Sequence, residues 1–205
     1  MLEHVPEWLG RALKGVRAGM EKVTLADEGL GRFASMTLAS QAFADGARLP
    51  ERFTADAETP VSPPLHWGEP PAGTARLALL VEDADSPTPQ PLVHAVVWDL
   101  PPRAGSLDEG VIAADGKDAV PDVGRNSYLA EGWLPPDPPT GHGEHRYVFQ
   151  LFALDAEAGD PGNNPGRSAL VAAIAGHVLA AGVLTGTYSR GEPAEIGPVG
   201  AVAMG

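Results

Sequence analysis

Between Leu77 and Pro102 the chain reads LALLVEDADSPTPQPLVHAVVWDLPP, two apolar runs joined by an acidic, proline-punctuated connection. In the first run, Ala75 to Val81, the two-residue repeat of a strand puts Leu77, Leu79 and Val81 on one face and Ala78 and Leu80 on the other. A strand apolar on both faces has to be covered on both, which places it inside a layered structure. In the second run the same repeat aligns His94, Val96, Trp98 and Leu100 on one face. If the connection from Glu82 to Val93 folds the runs into an antiparallel pair, Asp83 and His94 meet at one rim of the sheet.

Other stretches carry recognisable periods. His145 to Leu154 reads as a strand with His145, Tyr147, Phe149 and Leu151 on one face, and Arg146 on the other, where Asp85 is a suitable partner. Residues 3–22 read as a helix, with Trp8, Leu9, Ala12, Leu13, Val16 and Met20 at three- and four-residue steps. Glu3, Glu7 and Glu21 dilute its basic face, so it is expected to pack on its own domain or on a second copy rather than on a membrane. A second helix is expected over Ser168 to Ala181, capped by Ser168 and closed by Gly182, with a strand over Val183 to Tyr188. Arg103 to Asn126 reads as a long polar surface excursion, and Gly132 to Gly143 as a shaped, exposed, proline-rich loop. The connections lack the alternating helices of a parallel sheet, so the expected class is mainly β, antiparallel, with peripheral helices. The expected organisation is an N-terminal helical extension over 1–32, a β domain over 33–190 and a flexible tail over 191–205.

Charge and composition narrow the function. Acidic residues number 27 against 14 basic ones, a formal charge of −13, which opposes binding to a phosphodiester backbone and disfavours nucleic acid. With no cysteine, thiolate catalysis, disulfides and thiolate metal sites are excluded. The longest apolar runs fall short of the ~18 residues of a membrane span, and the N-terminus lacks the apolar core of a signal peptide, so a cytoplasmic location is expected. No cofactor is implied.

Three stretches together resemble the phosphatidylethanolamine-binding protein family, in particular its bacterial Raf-kinase-inhibitor-like branch. Asp83-Ala-Asp-Ser-Pro is similar to that family's Asp-Pro-Asp-Ala-Pro, followed by His94-Ala-Val-Val-Trp-Asp-Leu-Pro. Gly124-Arg-Asn-Ser-Tyr through Pro138-Pro139-Thr-Gly-His-Gly-Glu-His145-Arg146-Tyr147 is similar to its Pro-Pro-x-Gly-x-x-x-His-Arg-Tyr segment. Gly176-His177-Val-Leu-Ala, running on to Gly186-Thr-Tyr188, resembles the last helix and strand of bacterial members. The resemblance covers about Phe33 to Arg190. It implies a β-sandwich-like fold with a small pocket for an anion, phosphate or a phospholipid headgroup. That pocket maps to Asp83, His94, His145 and Tyr147, with Pro138 and Pro139 as a wall. It implies a binding protein rather than an enzyme, and permits modulation of a protein partner such as a kinase or protease.

The chain departs from the family pattern at Ala84, Ala95 and Asp137; the last adds a carboxylate at the expected pocket mouth. An ionised Asp83 repels phosphate oxygens, so either it charges a neighbouring histidine or the ligand carries a proton or an ammonium. Both favour a monoanion or zwitterion over a dianion. The alternative function is a metal-dependent hydrolase using His142, His145, His94 and Asp83, although the spacing is not that of a helical His-Glu-x-x-His site. The apolar face of the N-terminal helix suggests a homodimer.

Overall fold

The computed structural model describes residues 7–113 and 122–191. Part of the expected surface excursion and nearly all of the expected C-terminal tail lie outside the described residues.

The strand-rich core forms two layers. β1 (Ala34–Ser35), β2 (Leu38–Ala39) and β3 (Leu65–Trp67) precede the long strands β4 (Arg76–Asp83) and β5 (Leu92–Leu100). β6 (Gly105–Leu107), β7 (Asp122–Val123), β8 (His145–Leu154) and β9 (Val178–Tyr188) complete the set, with α1 (Glu7–Leu13) and α2 (Arg167–Ile174) at the periphery. A six-stranded sheet runs β1-β9-β8-β4-β5-β7 and a three-stranded sheet runs β2-β3-β6. All pairings are antiparallel except β1 with β9.

β4 sits at the centre and its two faces face two cores, as its composition requires. Leu77, Leu79 and Val81 pack with Phe149, Leu151 and Leu184 against Leu38, Leu65, Trp67 and Leu107 of the smaller sheet. Ala78 and Leu80 pack with Val96, Trp98, Phe152 and Leu154 beneath Leu170 and Ile174 of α2.

The strict alternation expected of β5 fails at both ends. Val81 pairs with Ala95 while Glu82 pairs with Val93, leaving His94 as an extra residue in a bulge. A second irregularity opposes Leu77 to Leu100 and Leu79 to Val97, with Asp99 at φ 59°. Each bulge inverts the order of faces, as an extra residue must. Leu100 therefore joins the inter-sheet core and leaves Val96 and Trp98 on the α2 side. His94 likewise turns to the inter-sheet side, against Tyr147 and Trp133.

Both helices are shorter than their apolar periods predict. α2 ends at Ile174, and Gly176 at φ 78° turns the chain so that Val178 and Leu179 begin β9 rather than continue a helix. Tertiary pairing decides, since β9 adds a full antiparallel ladder along β8 from Val178 to Tyr188. Gly166, not Ser168, stands at the helix start, and Gly182 lies inside the strand. A Cβ at Gly182 would sit 2.9 Å from Leu38 Cβ.

α1 stops at Leu13 because the following residues form a strap tied to the sheet. Ala18 and Gly19 donate their N–H groups to the carbonyls of Ser86 and Ala84. Thr24 N–H donates to the Glu82 carboxylate (2.7 Å) and Leu25 N–H to Gln150 Oε1 (2.6 Å). Glu82 is fully buried and accepts further bonds from Gln150 Nε2 (2.8 Å) and Arg167 Nε (2.6 Å), so its charge is completely partnered. Of the apolar face expected of the helix, Trp8 and Val16 stay exposed.

Candidate ligand pocket

Three strand ends converge at one rim of the large sheet. β4 delivers Asp83 at its last residue, β8 delivers His145 at its first, and the bulge in β5 delivers His94. They line a cavity of about 180 Å³, smaller than the ~300–1,000 Å³ of sites for drug-sized molecules. Leu92, Pro87, Leu134, Pro135, Pro139 and Tyr128 make most of the walls, with Asp137 among them. Pro139 is thus one of the lining residues. Pro138 is buried outside the lining, and Tyr147 stands behind His94 with its ring edge-on at 5.0 Å.

Asp83 spends each carboxylate oxygen. Oδ1 accepts from the Asp85 N–H and Oδ2 from His145 Nδ1–H, both at 2.8 Å. Its partner is therefore His145, whereas the sheet-rim geometry suggested His94. His94 Nδ1–H instead donates to the Leu134 carbonyl at 2.7 Å, and Leu134 N–H returns a bond to the His94 carbonyl. Burial lowers the His94 pKa, against the opposing pull of Asp83 and the Leu134 carbonyl. Burial thus favours the neutral ring, in which Nδ1 holds the hydrogen and Nε2 is a bare acceptor; that nitrogen is buried and has no hydrogen-bond partner among the described residues. The same holds for the Tyr147 hydroxyl, whose pKa burial and then Asp83 push well above 10. These are the kind of groups that interiors rarely leave unsatisfied.

The pocket mouth is less acidic than the bare sequence suggests. Arg190 forms an ion pair with Asp137 and also holds Asp56 at 2.6 Å. The rim is braced from outside by Asp85, which accepts a two-pronged contact from Arg146 (2.7 and 2.8 Å) and a third from Arg17 (2.8 Å). These bonds hold its carboxyl down to about 2, overcoming a burial effect that acts in the opposite direction.

The loop from Gly132 to Gly143 is bound down where the sequence suggested exposure. Trp133 stacks on Phe149 at 6.1 Å and its indole N–H donates to the Phe53 carbonyl. His142 is fully buried between Gly141 (φ 80°) and Gly143 (φ 103°), conformations that glycine adopts without strain. His142 Nδ1 lies 2.7 Å from His145 Nε2, and His142 Nε2–H donates to the carbonyls of Leu13 (2.8 Å) and Val16 (3.1 Å). The sequence placed His142 only among metal ligands; the Gly-His-Gly spelling was the signal for a bent loop that buries its histidine. In this arrangement the two histidines spend nitrogens on each other, and no group of three His, Asp or Glu side chains able to hold a metal occurs among the described residues.

Among the described residues, no helix is long and apolar enough to cross a membrane. Residues 39–189 match the family described as phosphatidylethanolamine-binding protein. A UPF0098 protein of Methanothermobacter thermautotrophicus is 38% identical over 160 residues, spanning 76% of this chain and all of the relative. The crystal structure of Escherichia coli YbcL, described as a member of the mammalian PEBP family, superposes with a TM-score of 0.67 at 26% identity, over 76% of this chain and 99% of that one. The Chlamydia trachomatis PEBP homologue CT736 superposes with a TM-score of 0.66 at 32% identity, over 76% and 98%. Sequence and architecture agree: the chain belongs to the phosphatidylethanolamine-binding protein family.

Proposed function

We propose that the chain binds, without turnover, a small ligand whose head is a singly protonated phosphate or phosphate monoester, free or on a lipid headgroup. The observation that carries this reading is the buried, unpartnered Nε2 of His94, a residue that lines a headgroup-sized cavity with Asp83 and His145 and is backed by Tyr147, whose buried hydroxyl is also unpartnered among the described residues. Because His94 Nε2 can only accept, the ligand has to bring a hydrogen to it. A monoanion P–OH does so and a dianion does not. The apolar walls from Pro87, Leu92, Leu134 and Pro139 suit the carbon skeleton of an ester.

Titration calorimetry with inorganic phosphate and with phosphoethanolamine between pH 5 and pH 8 tests this. A monoester loses its second proton near pH ~6, so its affinity is expected to fall as pH rises through that value. Affinity that climbs over the same range would overturn the reading, as would phosphate release from a monoester incubated with the protein.

For modulation of a protein partner, the support is the rim beside the cavity, where Leu129 is 76% exposed next to the lining residue Tyr128. For pairing of two copies, the support is Trp8 on α1, 69% exposed. Equal sedimentation masses for the wild type and Trp8→Ser would remove that support.

A further inference from the structure

We propose that His142 and the strap over residues 13–19 are working parts of the pocket: the strap fixes His142 as a hydrogen-bond acceptor toward His145, so that His145 holds two ring protons and presents a positive charge to the ligand. The inference rests on the binding reading above and adds to it how the anion is tolerated beside Asp83.

Counting protons along the chain of bonds leads to this. At one end, the carbonyls of Leu13 and Val16 only accept, so His142 Nε2 carries a hydrogen. At the other, Asp83 Oδ1 accepts from the Asp85 N–H and Oδ2 lies 2.8 Å from His145 Nδ1, a link that also needs one hydrogen, which sits on the ring when Asp83 is a carboxylate. The central contact, 2.7 Å between His142 Nδ1 and His145 Nε2, joins two nitrogens and needs one hydrogen between them. Three links hold three protons. With Asp83 ionised, the two rings together carry one positive charge.

The surroundings decide which ring holds it. His142 is pushed toward the neutral form by burial, then by His145 and Arg17, with the Leu13 and Val16 carbonyls opposing. His145 has the Asp83 carboxylate directly at its other nitrogen. The remaining charged groups around the rim are spent elsewhere: Asp85 on Arg146 and Arg17, and Asp137 on Arg190. His94, also in the lining, is pushed toward the neutral form by burial and is committed to Leu134.

The strap is what makes the first link obligatory. Arg17 donates to the carbonyls of Glu144 (2.7 Å) and His142 (3.2 Å), clamping the loop that carries both histidines. Ala18 and Gly19 bind the turn that carries Asp83 and Ser86. At Gly10 a Cβ would lie 2.1 Å from the Thr140 carbonyl oxygen, so α1 rests directly on the same loop. These residues precede the segment that matches the family, yet they hold two of the three stretches that build the pocket.

The test uses the full chain with nitrogen-labelled histidines and inorganic phosphate as the probe. In the ligand-free wild type, the ring nitrogen shifts of His145 are expected to report two N–H groups and those of His142 one; a His145 ring with fewer than two overturns the proposal. His142→Leu removes the acceptor and is expected to weaken phosphate binding on the order of tenfold, whereas His142→Asn keeps an acceptor oxygen and stays within about twofold of wild type. Equal affinity for wild type and His142→Leu overturns the proposal. Addition of phosphate is expected to slow amide exchange at Ala18 and Gly19, and unchanged exchange at saturation removes the strap from it. If the wild type binds no phosphate, the binding reading fails, while the ring nitrogens still decide the proton count.

Discussion

Replacing Asp85 with Asn probes the clasp that holds the pocket rim together. Asp85 is 1% exposed and receives two guanidinium groups, from Arg146 within its own loop–strand junction and from Arg17 in the strap. Its carboxyl falls from an ordinary 3.8 to about 2 on folding. A drop of that size corresponds to roughly 2 kcal/mol of stability from ionisation alone. The sign follows from the direction. A depressed folded value gives stability that is complete above the unfolded value of 3.8 and is lost as pH falls toward about 2. Urea unfolding of wild type and Asp85→Asn at pH 6 is expected to differ by at least about 2 kcal/mol, because the amide also leaves two arginines without their carboxylate. At pH 3 linkage predicts that roughly half of the ionisation share remains, so the difference shrinks by about 1 kcal/mol. A difference that stays constant from pH 6 to pH 3 would refute the ionic origin and assign the effect to shape. Equal stabilities at pH 6 would refute the clasp altogether.

Two further substitutions separate polar and packing effects. Tyr147→Phe deletes a buried hydroxyl without a partner among the described residues and is expected to raise ligand-free stability by up to about 1 kcal/mol while weakening phosphate binding; a loss of stability in calorimetric unfolding would mean the hydroxyl is satisfied. Gly186→Ala drives a Cβ to 2.4 Å from Leu49 Cδ2, and about 1–3 kcal/mol of destabilisation is expected in urea unfolding; an unchanged midpoint would show that Leu49 can move aside.

Legibility in the sequence followed the range of the forces involved. β4 and β8 were readable because burial on defined faces imposes a two-residue period, and the same period carried Asp83 and His145 to one rim. Arg146 was readable as the partner of Asp85 because opposite charges flanked the same predicted strand ends. The bulge at His94 left no trace in the pattern, since an extra residue in an apolar run changes parity without changing composition. Val178 and Leu179 suited a helical stripe and a strand equally, and only the ladder with β8 chose between them. The strap was least legible: Glu82, Gln150, Thr24 and Arg167 come from four separate stretches and meet through polar bonds that have no period.

The β5 irregularity makes the recognition chemistry depend on counting. Excising Val93 would restore even pairing, put His94 opposite Glu82 in its place and send the imidazole into the hydrocarbon under α2. A homologue can therefore spell every expected side chain and still lack a competent site, and inherited gaps near this point matter more than substitutions around it.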